Sequence, residues 1–415
     1  MKNHAYLLIG IILLLTLTDC KKGEDVTPTE QVLVKMVVDV NYPTSKTDDW
    51  VIVHDTKGSL LGYKKFEGGD NFVVKSSNAI PENKLSITLL SYDANAYNGK
   101  SFVLRSYFEV DLGMTFNIGQ STYISPNLGA KIGEFSVNLV NVENMYTAFT
   151  SDNLGRSGPG GGWSLSNSTT NGSFTLDIYD VSRNFFFYMA DQSGNIGYKF
   201  LQNVKDKDKF NITSLSSLTP FDNLVNISFP ATDKIRYTVM SDGYITNSNY
   251  LVNGNNSMSS LKLGYPSMFS QHYSFLQFSY NGYSFFFEKK GGAVTKISWP
   301  SKPTIVIQNK AFNNFNISIG QPFNYRTSSW GFSSGASVPN VRINWIVYSP
   351  KNSQGVLILP AEFSSLYPEL KSETLTNHYS TYFRTQSQSY SDFINSVASA
   401  APIGQYEETA ILIEN

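Results

Sequence analysis

Short runs of β-branched and aromatic residues, each closed by a polar turn, recur along this 415-residue chain and point to an all-β architecture. Trp50-Val51-Ile52-Val53-His54 ends on Asp55-Thr56-Lys57-Gly58, and Leu60 to Phe66 resumes the pattern, which reads as a hairpin with glycine near the end of its turn. Val32 to Val40, Phe72 to Lys75, Leu85 to Leu90 and Phe102 to Val110 are runs of the same kind and complete a β-sandwich pattern. Charged residues are only 16% of the chain against roughly 25% in ordinary globular proteins. The surface must therefore be covered largely by Ser, Asn, Thr and Tyr, residues that favour turns and strands over helices.

The hairpin has a second copy. His54 to Lys64 can be laid over Ala190 to Lys199 with a single gap, and strand-like residues precede both: Trp50 to Val53 in one, Phe185 to Met189 in the other. A second module is expected to start near Glu134, and a weaker third near Phe312, where Phe315 to Ile319 and Trp345 to Leu359 repeat the strand, polar turn, strand order. The expectation is two or three tandem β-sandwich modules of immunoglobulin-like or transthyretin-like topology. The divisions fall at 31–130, at 131–310 with an extended β region, and at 311–415. Helix signal is scarce: Tyr390 to Ala400 fits a short amphipathic helix with Ser391 or Ser389 near its cap and with Phe393 and Val397 on one face. Trp50 and Trp345 lie in strand-like runs and are expected in the core.

The N-terminus has a different character. An apolar run from Ala5 to Leu17 follows Met1-Lys2-Asn3-His4 and leads into Thr18-Asp19-Cys20-Lys21-Lys22-Gly23-Glu24-Asp25. The run suits a signal-peptide core and falls short of the roughly 18 apolar residues read as a spanning helix. Cys20 is the chain's single cysteine, so no disulfide can form within it. Burial of that thiol as a structural cysteine is disfavoured by its charged neighbours Asp19, Lys21 and Lys22.

This segment resembles a bacterial lipoprotein signal peptide ending in a lipobox, with Asp19 where a small residue is usual. The resemblance implies a signal over 1–19, acylation of Cys20, a tether over 20–30 and attachment to a membrane through the lipid. Lys21 does not resemble the aspartate that retains some lipoproteins in the inner membrane. The charged tether is similar to that of surface lipoproteins of the Bacteroidota. The expected location is the outer membrane, on its periplasmic or cell-surface face.

Other chemistry is weighed against this. A formal net charge of -1 argues against a dedicated nucleic-acid binder. Ala94 to Ser101 matches a permissive phosphate-loop pattern, but such a loop must open a helix whereas Ser101 leads into a strand-like run, so a hairpin turn at Asn98-Gly99 is expected. Gly331-Phe332-Ser333-Ser334-Gly335, followed by Glu362, Glu369 or Glu373 and then His378, has the chain order of an α/β-hydrolase triad. A nucleophile elbow needs strand, serine, helix, and Ala336 to Asn340 reads instead as a loop running into a strand. The histidines His4, His54, His272 and His378 are far apart, no cysteine pair exists, and the Asp55 and Asp191 turns lack the successive carboxylates of a calcium loop. No metal or cofactor is expected.

Recognition chemistry centres on two Gly/Ser-rich segments, Arg156 to Trp163 and Thr327 to Phe332. Arg156, Trp163, Trp330 and Phe332 are the candidate ligand-binding residues, able to stack on a sugar or to anchor a protein partner. The alternative is that both Trp rings fold back and plug the end of a core. The functional expectation is a non-catalytic, surface-anchored protein that binds a glycan or an envelope or host protein through loop aromatics. A structural subunit similar to the fimbrial subunits of the Bacteroidota is the alternative, and an exported serine hydrolase using Ser333 and His378 is third.

Overall fold

The computed structural model describes residues 30–414 except 43–46, 79, 81–82, 97–98, 120–128, 154–169, 233, 253–257, 281–282, 300–302, 336–339, 351–356, 386–387 and 401–403. Its first segment holds β1 (Gln31–Val38), β2 (Asp48–His54), β3 (Leu60–Phe66), β4 (Asn71–Ser76), β5 (Lys84–Ala96), β6 (Gly99–Asp111) and β7 (Met114–Ile118). β1 lies between antiparallel β4 and parallel β7. Leu33, Val34 and Met36 from this small sheet pack on Val51, Val53, Leu85, Ile87 and Val110 from β2, β5 and β6. The opposite faces of β2, β5 and β6 supply Ile52, Leu90, Phe102 and Leu104 to a different core. Burial on both faces explains why Trp50 to Val53 reads as a continuous apolar run rather than an alternating one.

A second group of strands follows with the same pairing plan. Its strands are β8 (Lys131–Val142), β9 (Met145–Asp152), β10 (Thr170–Tyr179), β11 (Phe185–Asp191), β12 (Ile196–Leu201), β13 (Lys209–Ile212) and β14 (Thr219–Pro220). Here too the opening strand, β8, lies between one antiparallel partner, β10, and one parallel partner, β13. Phe135, Val137 and Leu139 pack on Phe185, Phe187 and Met189 of β11. The alternate residues Phe186 and Tyr188 face away into a second aromatic cluster with Phe149, Tyr198, Phe221 and Tyr244.

The sequence repeat is a structural one. The Asp55 N–H donates to the Ser59 carbonyl at 3.0 Å, and the Asp191 N–H donates to the Asn195 carbonyl at 2.9 Å. Each aspartate Oδ1 accepts the N–H four residues on, from Ser59 and from Asn195, at 2.8 Å. Gly58 and Gly194 adopt φ of 89° and 75°, the left-handed conformation glycine tolerates without strain.

The remaining strands are β15 (Asn223–Thr232), β16 (Lys234–Ser241), β17 (Tyr244–Val252), β18 (Met258–Tyr265), β19 (His272–Tyr280), β20 (Tyr283–Gly291), β21 (Ile305–Asn309), β22 (Asn316–Ile319), β23 (Tyr325–Ser333), β24 (Asn340–Ser349), β25 (Thr376–Thr385) and β26 (Tyr406–Glu414). Eight of them join four strands of the first segment in one 12-stranded sheet of order β17-β16-β19-β20-β26-β25-β23-β24-β6-β5-β2-β3. Its seam is the parallel pair β6–β24, which runs from Asn340↔Gly99 to Tyr348↔Tyr107. A Cβ at position 99 would collide with the Asn340 carbonyl oxygen, so the close approach of the two strands there requires glycine. The ladder thus runs through residues on both sides of 130 and of 310. All-β is the class observed.

The helix Tyr390–Ser399 forms with Ser389 as its cap, in a reciprocal capping box with Asp392. Although it lies in the last segment of the chain, its buried Tyr390, Ile394 and Ala398 belong to the core that Leu33, Val34 and Met36 of β1 form with β2, β5 and β6. The Tyr390 hydroxyl sits 2.8 Å from the Phe108 carbonyl and 2.9 Å from the Tyr348 carbonyl, bridging β6 and β24. Phe393 and Val397 pack at the rim of the same core, on the shared face expected of them. Among the described residues no helix is long and apolar enough to cross a membrane.

Candidate functional site

The expected recognition residues divide into those that lie outside the described structure and those that lie inside the protein. Cys20, Arg156 and Trp163 fall outside the described residues. Trp330 does not occupy a loop: it lies within β23, is 0% exposed, and packs its ring on Phe312 and Phe315 at centroid distances of 5.3 and 4.9 Å. The alternation of β23 turns it into the large core, so Trp330 cannot meet a ligand, and Phe332 beside it is half-buried against the same core. Trp345 is also fully buried, its Nε1–H donating to Ser106 Oγ at 2.8 Å, while Trp50 is half-buried at the core's edge.

The formal motifs resolve into hairpins. β5 and β6 form an antiparallel pair closing at Ala96↔Gly99, and no helix follows Gly99 as a phosphate loop would need. Ser333 is the last residue of β23, which pairs antiparallel with β24, so strand follows strand where an elbow requires a helix. Two of the three acids of that triad order are engaged elsewhere: Glu362 accepts from the Tyr63 hydroxyl at 2.8 Å, and Glu369 pairs with Lys100. His378 is exposed on β25 with its ring against Gly331. Among the described residues no group of three or more His, Cys, Asp or Glu comes together to hold a metal ion.

A different set of aromatics is presented by the outer face of the large sheet. Leu276, Phe278, Phe285, Phe287, Ile411 and Ile413 point from β19, β20 and β26 into the main core. Their neighbours Tyr273, Phe275, Phe286, Glu288, Tyr406 and Glu408 therefore project from the opposite side. The register places Phe275 opposite Glu288 and Glu288 opposite Glu408, with Lys290 opposite Tyr406 one step along the same face. Phe275 and Phe286, with centroids 6.2 Å apart, are half-buried and belong to none of the hydrophobic cores.

Hydrogen bonds fix the tyrosines. Tyr273 donates to Glu288 Oε1 at 2.8 Å and Tyr406 donates to the same oxygen at 2.5 Å, so one carboxylate holds both rings. Glu408, 9% exposed, accepts from Tyr325 at 2.7 Å. Burial pushes its carboxyl up to about 7, with Glu288 adding to the rise and the Tyr325 hydroxyl opposing it. The same burial, together with the adjoining carboxylates, raises the phenols of Tyr273, Tyr325 and Tyr406 well above their usual range, so each stays a donor.

Two cavities open along this face. The larger, of about 590 Å³, is lined by Met240, Asp242, Gly243, Gln271, His272, Tyr273, Lys290 and Tyr406. His272 Nδ1 lies 2.8 Å from Ser241 Oγ, a serine–histidine contact that is not a nucleophile pair because Ser241 is 0% exposed. Burial lowers the His272 pKa, with Asp242 acting the other way. The smaller cavity, of about 240 Å³, is bounded by Phe275, Phe286 and Phe383 with Glu288 and Glu408. Tyr273 and Tyr406 join the two, since they line the first and donate to a carboxylate of the second.

No residue of this face was singled out from sequence. The available signal was alternation, Tyr273-x-Phe275, Phe286-x-Glu288 and Tyr406-x-Glu408, which puts the two members of each pair on one face of their strand. What brings the three segments together is the closure of β26 onto β20, a pairing across more than a hundred residues that no local pattern announces.

No family model and no curated protein matches the chain. A solved structure described as "Ca2+-stabilized adhesin helps an Antarctic bacterium reach out and bind ice" is similar at 8% identity, covering 88% of this chain and 89% of that one. The TM-score of 0.12 is too low to support a shared fold or function.

Proposed function

We propose that this chain is a non-catalytic surface lipoprotein, anchored through Cys20 at the outer membrane, whose large-sheet face binds a glycan. The observation that carries the reading is the pair Tyr273 and Tyr406: two rings held by one carboxylate beside a cavity that also offers Asp242, Gln271, His272 and Lys290. Sugars present C–H faces that stack on aromatic rings and hydroxyls that bond to planar polar side chains, and a cavity of about 590 Å³ lies within the usual range for small ligands. Rings fixed before binding lose little freedom on complex formation. In this reading the ligand-binding aromatics are half-buried strand residues of the sheet face in place of the fully buried Trp330.

A glycan array probed with the chain from Cys20 onward tests the reading. Retention of specific glycans, lost in Tyr406→Ala, supports it; a protein that folds and retains none overturns it. Anchorage has a separate test. Fatty-acid labelling of the full chain in a bacterial host is expected to mark the wild type and to disappear in Cys20→Ser.

A further inference from the structure

We propose that the pocket between Phe275, Phe286 and Phe383 is a subsite for a protonated amine carried by the bound glycan, seated against Glu288 and Glu408. The inference rests on the glycan reading of the neighbouring cavity. Size is the first argument. At about 240 Å³ the pocket is smaller than the roughly 300–1,000 Å³ of complete ligand sites, so it takes one group of a ligand whose bulk lies beside it. The larger cavity, reached across Tyr273 and Tyr406, is where that bulk fits.

Charge is the second. Glu288 and Glu408 are cross-strand neighbours, a placement that brings Cβ atoms to about 5 Å. Two carboxylates so placed repel, and among the described residues neither forms an ion pair with a lysine, arginine or histidine. Their hydrogen-bond donors are the phenols of Tyr273, Tyr406 and Tyr325. On the same face the nearest basic groups in the register are Lys290, two residues from Glu288 on its strand, and Arg236, whose guanidinium carbon sits 6.0 Å from the Phe275 ring centroid; Lys289, next to Glu288, alternates to the other face and pairs with Glu407.

The third argument is the wall. Three phenylalanine rings attract an ammonium through their π faces and receive the C–H groups beside it, and they offer nothing to a hydroxyl. A bare divalent cation fits poorly, because two carboxylates fall short of the six to eight oxygens calcium gathers. An ammonium compensates both carboxylates and favours the ionised form of Glu408, so its entry releases a proton.

The test compares glucosamine oligomers with their N-acetylated counterparts by titration calorimetry, on wild type and Glu408→Gln, the carboxylate that does not hold Tyr273 or Tyr406. Wild type is expected to bind the free-amine form at least about ten-fold more tightly, and Glu408→Gln to reduce that preference about ten-fold while binding of the acetylated form persists. Wild-type affinity for the amine is expected to be weaker at about pH 5, where Glu408 carries its proton, than at about pH 6.5, and to fall again at higher pH as the sugar ammonium loses its own proton, a readout that needs no variant. Equal affinity for the two forms, or an amine affinity that does not change with pH, overturns the subsite and leaves the glycan reading standing. Binding of neither form together with glycans retained on the array has the same meaning. An empty array removes both.

Discussion

Glu288 and Glu408 face one another across the β20–β26 ladder, the first holding the hydroxyls of Tyr273 and Tyr406 and the second that of Tyr325. Placing like charges opposite each other in a half-buried sheet face works against stability. Such an arrangement is easier to understand as serving a ligand than as serving the fold.

The pair makes stability depend on pH. With its folded pKa near 7, above the 4.5 of a free glutamate, Glu408 keeps its proton in the folded state where the unfolded chain loses it. Stability from this group is fully present below about pH 4.5 and is lost as pH rises through about 7, at roughly 1.4 kcal/mol for each pH unit between the two. Glu408→Gln is expected to remove that slope. Urea midpoints measured across this window check it: the variant should gain on the wild type as pH rises, and parallel curves would contradict the assignment.

His54 acts in the opposite sense. It is fully buried with Nε2 2.8 Å from the Ile358 carbonyl, and burial lowers its pKa below 6.5. A depressed histidine contributes stability above its unfolded pKa and loses it as pH falls. Acid destabilisation beginning below about pH 6.5 is expected to be weaker in His54→Gln, as measured by thermal melts at pH 5 to 7.

Trp330→Ala should damage the fold and not the recognition chemistry. Emptying a fully buried aromatic site costs about 3–5 kcal/mol, here by exposing the faces of Phe312 and Phe315. Chemical denaturation is expected to show that loss. Glycan affinity per folded molecule is expected to be unchanged.

The β6–β24 seam has a sharp test in glycine. Gly99→Ala places a methyl group against the Asn340 carbonyl and is expected to cost several kcal/mol. Gly172→Ala in β10, where an added Cβ meets nothing within 4 Å, should change stability by no more than about 0.5 kcal/mol. Similar melting temperatures for the two variants would argue against the parallel pairing.

Much of the local structure was legible because it is written in local chemistry. Asp55 and Gly58 specify a turn, and so do Asp191 and Gly194, because each needs only its own side chain and a permissive φ. Ser389 and Asp392 mark a helix start for the same reason. Trp330 offers two readings, an exposed loop ring or a ring folded into the core, and the second is the one observed: its Ser- and Gly-rich surroundings, a loop signal in most chains, here form a strand flanked by β24 and β25, where small residues suit close packing. Its burial follows from neighbours that lie far along the chain. The sheet-face site was hidden for a related reason: its aromatics become a surface only when β19, β20 and β26 are aligned.

The claim that this sheet face binds a glycan is tested most directly by measuring, for the strongest glycan retained on the array, the Kd of wild type, Tyr406→Ala and Tyr63→Ala. Tyr63 is an exposed tyrosine on the far edge strand β3, 37% accessible and, like Tyr406, bonded to a glutamate, here Glu362. Tyr406→Ala is expected to weaken binding at least about ten-fold, equivalent to about 1.4 kcal/mol, with Tyr63→Ala matching the wild type. Equal affinity in wild type and Tyr406→Ala would contradict the account.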